Sequence, residues 1–457
     1  MVNGTELAAP VRFELDSRPE AGGSVLACHG ADATVVRTSM PATVTVGGSG
    51  TQSRLLWLDN PASVYRGEFL ICLRAGGSGL AIVNVVDLED YVAGVVPYEI
   101  GASSPPEALR VQAVIARTEA VNAGRRHAAD AFDICNTTHC QVYLGAAREI
   151  ATPAVREAVD ATAGEVLWYG GRPAPDSNYF ACCGGYTESS LALWKSDVVY
   201  MRTIACRPSS NGAARTLDSP RDEAMVRKAI LNPDASDYCY GSNGYRWTYT
   251  VTASALAASV SSVIGVRPAN ITGIEVLERT PRGAAVKVAI VTPGRRHEIA
   301  GELAIRMALG GSVAVKSGVF VVDAVPAGGE GKPPAEFRLS GAGYGHGVGL
   351  CQYGARKMAT LGVGYRDIIS HYYPGVTVGR LESPEQEDAG APDAEREPAR
   401  LEEPVTVEEP ATPEAPVTQE SPEADEVPEA QGDPEAQEEA ATGEPPQGDE
   451  HTSTEVP

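Results

Sequence analysis

No apolar run in this chain is long enough to cross a bilayer. Its first residues, MVNGTELAAPVRFELDS, have neither the charged stretch nor the apolar core of a secretory signal. Neither a transmembrane segment nor an export leader is expected there, and the export route stays open. A basic surplus is missing as well. The chain carries a formal net charge of −23, but residues 381–457 hold 25 Asp and Glu against Arg396 and Arg400 alone, so the remainder is close to neutral. Without a basic face, nucleic-acid binding is not expected. Phased tandem repeats are absent beyond Arg380, although Pro-Glu-Ala recurs loosely there. Cysteine is neither scarce nor dense: nine are many for a cytosolic enzyme and few for a disulfide scaffold, which leaves the redox compartment undecided.

About 380 residues of ordinary composition can bury a sizeable core. Residues 1–80 read as a small antiparallel β module, with short strands (VRFEL, SVLAC, ATVVRT, ATVTV, SRLLWL, SVYRGEFLICLR) punctuated by glycine pairs. Helical and strand patterns then alternate irregularly over 81–380: a helix near 150–163, a hairpin turning at Gly170-Gly171, a helix near 220–231, and a strand–helix–hairpin succession from Trp247 to Leu309. The expected fold class is α+β. Beyond Arg380, Pro, Glu, Ala and Gln dominate with almost no aromatics, the composition of a disordered acidic tail.

The stretch 82–121 organises the reading. An apolar strand from Ile82 is expected to end in a loop carrying Glu99, which stands alone among Val96, Pro97, Tyr98 and Ile100. Ser104, Pro105 and Glu107 look like a capping box opening a helix that is apolar nearly all round, hence a core helix. A carboxyl among apolar neighbours should have a raised pKa and hold its proton near neutrality, as a general acid must; the plain alternative is a solvated loop residue. Arg117, on that core helix, needs an acceptor if buried: Glu99, Glu119 or a backbone carbonyl. His127, Cys135, His139 and Cys140 form the most metal-like set, two thiolates and two imidazoles suited to tetrahedral zinc. A Cys135–Cys140 disulfide and free buried thiols are the alternatives. Cys206 with Cys239, and Cys28 with Cys72, are further candidate bridges, while Cys182-Cys183 is expected to pack, with a second metal or a redox role left open. The glycine-rich loop 341–349, which contains His346, lacks the spacing of a phosphate loop; its glycines suit close approach of backbone to a substrate.

Three stretches, in order, resemble the SpoIID/LytB family: LEDYVAGVVPYEI with PPEALRVQAVIARTEAV, then NYFACCGGYTESSLALW, then GAGYGHGVGLCQYGARKMATLGVGYRDIISHYYPG. The resemblance covers roughly residues 60–380 and implies a peptidoglycan lytic transglycosylase with Glu99 as catalytic acid. It would cleave the MurNAc–GlcNAc bond of glycan strands stripped of stem peptides to leave 1,6-anhydro-MurNAc ends. Gln141 and Tyr143 match a family run beside the metal-like set; Thr187 and Glu188 fall in the central motif, His346 and Gln352 in the last. These six are the candidate substrate contacts, with Tyr143 equally readable as core and Glu188 as the auxiliary carboxylate. The resemblance favours structural zinc, a location outside the cytoplasm at the wall, and a wall amidase as partner. A non-catalytic glycan-binding modifier of that amidase and a hydrolytic muramidase are the rival readings. Cys182-Cys183, the stretch 206–245 (read as an insertion) and the tail depart from the family pattern.

Overall fold

The computed structural model describes residues 64–381, except 75–79, 125, 131, 209–220, 327 and 329–331. Before residue 64 it describes the strands Arg12–Asp16, Val25–His29, Val35–Ser39, Ala42–Val44 and Leu56–Trp57. The acidic tail from 382 onward lies outside the described residues. Helices and small, mainly antiparallel sheets make an α+β protein.

The expected short strands of the first 80 residues are present, and Glu68–Leu73 pairs antiparallel with both Ala42–Val44 and Leu80–Val85. The chain then enters a helical core. Helix α1 (Leu88–Val96) runs into a wide π-type turn, Pro97–Gly101, followed by α2 (Pro106–Ala123). The strand expected from Ile82 is present as Leu80–Val85, but the loop expected to carry Glu99 is helical: Val92, Ala93, Val95 and Val96 bury one helical face against α2, and tertiary packing outweighs the β propensity of the valines. The capping box is absent. Ser104 Oγ donates to the carbonyl of Ile100 at 2.6 Å, and Glu107 accepts from Arg110 and from the Tyr365 amide instead. Two prolines start α2 without a side-chain cap.

Helix α2 is the axis of the first core, its Leu109, Val111, Val114 and Ile115 fully buried. Around it lie α3 (Ala147–Ala151) and α4 (Pro153–Ala161), one expected helix divided at Pro153. The strands Glu165–Tyr169 and Thr377–Arg380 pair beside them. A short parallel ribbon, Tyr179–Phe180 against Leu350–Cys351, brings the central and last motifs together. Helices α5 (Ser190–Trp194) and α6 (Glu223–Leu231) follow in the chain.

A second core sits between two three-stranded antiparallel sheets and the helices α7 (Ala253–Ile264) and α8 (Glu302–Leu309). Pro334–Gly341 is the middle strand of one sheet, flanked by Trp247–Thr252 and Phe320–Pro326. Its side chains alternate, Phe337 and Leu339 inward and Arg338 outward. Gly341 lies under the Trp247 indole, where a β-carbon would collide. Helices α9 (Gln352–Thr360) and α10 (Tyr365–Tyr372) return the chain to the first core.

Candidate active site

Glu99 sits in the π-type turn, a rare widening that projects side chains out of helical register. It is half-buried. Its Oε1 accepts the Val142 amide at 2.7 Å, and the Tyr179 hydroxyl lies within hydrogen-bond reach of the carboxyl. Burial pushes its pKa up, and these two hydrogen bonds only partly offset the rise, so the proton is held to higher pH than on a free carboxyl. The backbone is clamped as well: Gln352 Nε2 donates to the Glu99 carbonyl at 3.0 Å and to Gln112 Oε1 at 3.2 Å. Tyr91 donates to Gln141 Oε1 at 3.1 Å, and Gln141 Nε2 reaches the Tyr179 hydroxyl at 3.5 Å, closing a polar web round the acid.

Two residues before Val142 lies the His/Cys set. His127 Nε2 is 3.4 Å from Cys140 Sγ, and His139 Nδ1 is 3.4 Å from Cys140 Sγ and 3.6 Å from Cys135 Sγ. A tetrahedral zinc at ordinary bond lengths sets sulfur and nitrogen about 3.5 Å apart, so the four donors are spaced to hold such an ion. Both cysteines are free in this structure. Burial alone would raise the Cys135 thiol, but hydrogen bonds from Thr137, His139 and Cys140 outweigh it and bring it down to about 6. Phe132 stacks on His127, and Arg126 reaches Cys140 Sγ at 3.5 Å.

Other sequence-expected residues have different partners. Arg117 is fully buried and pairs with Glu89 (2.5 and 2.8 Å), not with Glu99 or Glu119, and donates to the Glu165 carbonyl at 2.9 Å. Tyr143 is buried, its hydroxyl on Asn84 at 2.7 Å and its ring against Gly94 and Tyr91. Thr187 bonds the Arg202 carbonyl. Glu188 is enclosed by Thr280 (2.6 Å), Thr203 and the Ser189 amide, and burial raises it to about 7. His346 uses both ring nitrogens on backbone: Nε2 donates to the Tyr179 carbonyl and Nδ1 accepts from the Val348 amide, both at 3.1 Å. Burial lowers its pKa to about 4, consistent with a neutral ring. The close approaches made by the 341–349 glycines are to the protein itself; β-carbons at Gly347 and Gly349 would meet Arg282 and Asn178.

Asp90 is taken up by Arg156 and Arg66, Glu107 by Arg110, and Glu119 by Arg126. Among the described residues Glu99 makes no ion pair, which sets it apart from these carboxylates. Tyr91, Gln112 and Tyr179 were not singled out from the sequence, although Tyr179 is the second residue of the central motif. The expected Cys206–Cys239 and Cys28–Cys72 bridges are not formed; all four are free. A cleft of about 420 Å³, lined by Gly185, Tyr186, Arg207, Arg221 and Asp237 among others, opens elsewhere and shares no residue with the surroundings of Glu99.

A family described as stage II sporulation protein (SpoIID) matches residues 76–169, which contain Glu99 and the His/Cys set. A second, described as a domain of unknown function (DUF8618), matches 192–349, including all of the stretch 206–245 read as an insertion. An uncharacterised protein of Brachyspira hyodysenteriae is 31% identical over 304 residues, covering 65% of this chain and 68% of its own. Stage II sporulation protein D of Bacillus subtilis is 28% identical over 316 residues, 66% of this chain and 77% of its own. The amidase enhancer of the same bacterium is 29% identical over 308 residues, 62% of this chain and 40% of its own. The chain belongs to the stage II sporulation protein D family, a cell-wall-related family.

Proposed function

We propose that this protein is a peptidoglycan lytic transglycosylase whose single acid/base is Glu99. The observation that carries the reading is a half-buried carboxyl whose pKa is raised by burial and whose Oε1 is clamped by the Val142 amide. Glu99 in its protonated form donates to the glycosidic oxygen between MurNAc and GlcNAc as that bond breaks. As carboxylate it then takes the proton of the sugar's own 6-hydroxyl, which attacks the anomeric carbon and closes the 1,6-anhydro ring. A hydrolase would ordinarily need a second carboxylate to activate water. The neighbouring candidates Asp90, Glu107 and Glu119 are neutralised by arginines.

His127, Cys135, His139 and Cys140 would hold a zinc ion. With four protein ligands the ion offers no open position and serves structure. Its chain-borne consequence is the placement of Val142, two residues beyond Cys140, whose amide restrains Glu99. Glycan strands at the wall, outside the cytoplasm, are the proposed substrate. A second reading, a glycan-binding modifier of a wall amidase, is favoured by the likeness to the amidase enhancer.

Digestion of stripped and peptide-bearing glycan strands, with products resolved by mass, separates the readings. The wild type should yield anhydro ends, and Glu99→Gln should lose about 10²–10⁴-fold of that activity, the range of a general acid. Reducing ends would indicate a muramidase, and intact strands with a stimulated amidase would indicate the modifier. Anhydro ends from Glu99→Gln at the wild-type rate would refute the assignment.

A further inference from the structure

Away from Glu99, four cysteines from four separate parts of the chain converge: Cys183, Cys206, Cys239 and Cys351. All four are buried, and their sulfurs lie within 4.8 Å of one another. Cys183 and Cys239 are 3.4 Å apart and unbonded. Four sulfurs on one zinc or iron at about 2.3 Å stand about 3.8 Å apart, so the spacing suits a single tetrahedral ion. A four-iron cluster would hold its cysteines on the outer corners of a larger cage, which this spacing does not accommodate.

Hydrogen bonding provides an independent sign. The Cys183 amide donates to Cys351 Sγ at 3.2 Å, the Gly185 amide to Cys183 Sγ at 3.3 Å, and the Gly354 amide to Cys351 Sγ at 3.4 Å. The Tyr372 hydroxyl stands 3.1 Å from Cys206 Sγ. Neutral thiols are weak acceptors, and simple apolar packing does not aim amides at sulfur. Cys351 also caps the nine-residue α9, where the helix N-terminus favours negative charge. Such donors are what a ligating thiolate needs around it.

We propose that Cys183, Cys206, Cys239 and Cys351 form a tetrathiolate centre for one thiophilic divalent metal ion, separate from the His127 set. Binding releases the four thiol protons and leaves a net charge of −2, which the amides and Tyr372 stabilise. The centre pins both ends of the 206–239 stretch to the core and fixes the start of α9, where Gln352 holds the Glu99 carbonyl. The adjacent Cys182 faces Ser242 at 3.5 Å and is not one of the four.

Native mass spectrometry and elemental analysis of the full chain, purified under reducing conditions, count the metal. X-ray absorption of the zinc-loaded protein reads the ligands without any substitution. The wild type should carry two ions with a mean of three sulfurs and one nitrogen each, from one S4 and one S2N2 site. A Cys135→Ser/Cys140→Ser variant should keep one ion with four sulfurs, and Cys206→Ser/Cys239→Ser should keep one with two. If the His127 set holds no metal, the wild type still keeps one ion bound by four sulfurs. At most one ion with two sulfur ligands, or a disulfide among these four cysteines in freshly purified protein with no second ion, overturns the proposal.

Discussion

Arg117 and Glu89 allow a sharp test, because the two sides of their pair are unequally buried. The guanidinium is 0% exposed and the carboxylate 34% exposed. Glu89 also accepts from the Gly164 amide at 3.0 Å. In Arg117→Leu, water can resolvate Glu89, and the apolar side chain fills part of the space. The main losses are the ion pair and the Glu165 carbonyl's donor, together about 2–3 kcal/mol. In Glu89→Ala, a fully buried cation keeps only backbone acceptors, and stranding it costs about 3–5 kcal/mol. The two effects should not add: with both partners removed, the double variant should be more stable than Glu89→Ala alone. Denaturant unfolding followed by tryptophan fluorescence measures all four proteins. The reasoning fails if Arg117→Leu is the more costly single change, or if the double variant is the least stable. Because Arg117 does not touch Glu99, its removal should leave the pH profile of glycan cleavage unmoved.

The Tyr179 hydroxyl favours the ionised form of Glu99, so Tyr179→Phe should raise the acid's pKa. The alkaline limb of anhydro-product release should move up by about one pH unit, the lower end of what a hydrogen bond to a charge contributes; a limb that stays or falls contradicts this. Glu188, raised to about 7, favours the folded state fully below its ordinary 4.5, and that contribution is lost as pH climbs through 7. Glu188→Gln should therefore flatten the stability decline between pH 4.5 and 7, read by thermal unfolding across that range. Chelation of the His127 site should free the Val142 amide, raising the Glu99 pKa further while slowing cleavage, and restored metal should reverse both.

The site was legible in the sequence where chemistry is local. An isolated carboxyl between Pro97 and Ile100, and two histidines with two cysteines inside fourteen residues, declare themselves by type and spacing. What escaped was set by tertiary contact. Helix α1 falls where a loop was expected after the Ile82 strand, because its three valines carry β propensity and α2 packed against its buried face makes it helical. Ser104 and Glu107 have a capping-box spacing, yet the π-type turn ahead of them diverts both side chains. The Glu89 partner of Arg117 lies 28 residues away, hidden within the same unrecognised helix. Cys183, Cys206, Cys239 and Cys351 share no short spacing, so pairing Cys206 with Cys239 captured half of a four-way meeting.

The ribbon that joins Phe180 to Cys351 sets a schedule for biogenesis. At roughly 5–20 residues per second, a ribosome needs on the order of ten to thirty seconds to travel from one strand to the other. Throughout that interval Tyr179 has emerged without its partner strand, Gln352 does not yet exist, and the Glu99 turn lacks its backbone clamp. The Glu99 site is thus assembled late, so on the proposed function a nascent chain stalled before Cys351 should be inert toward glycan.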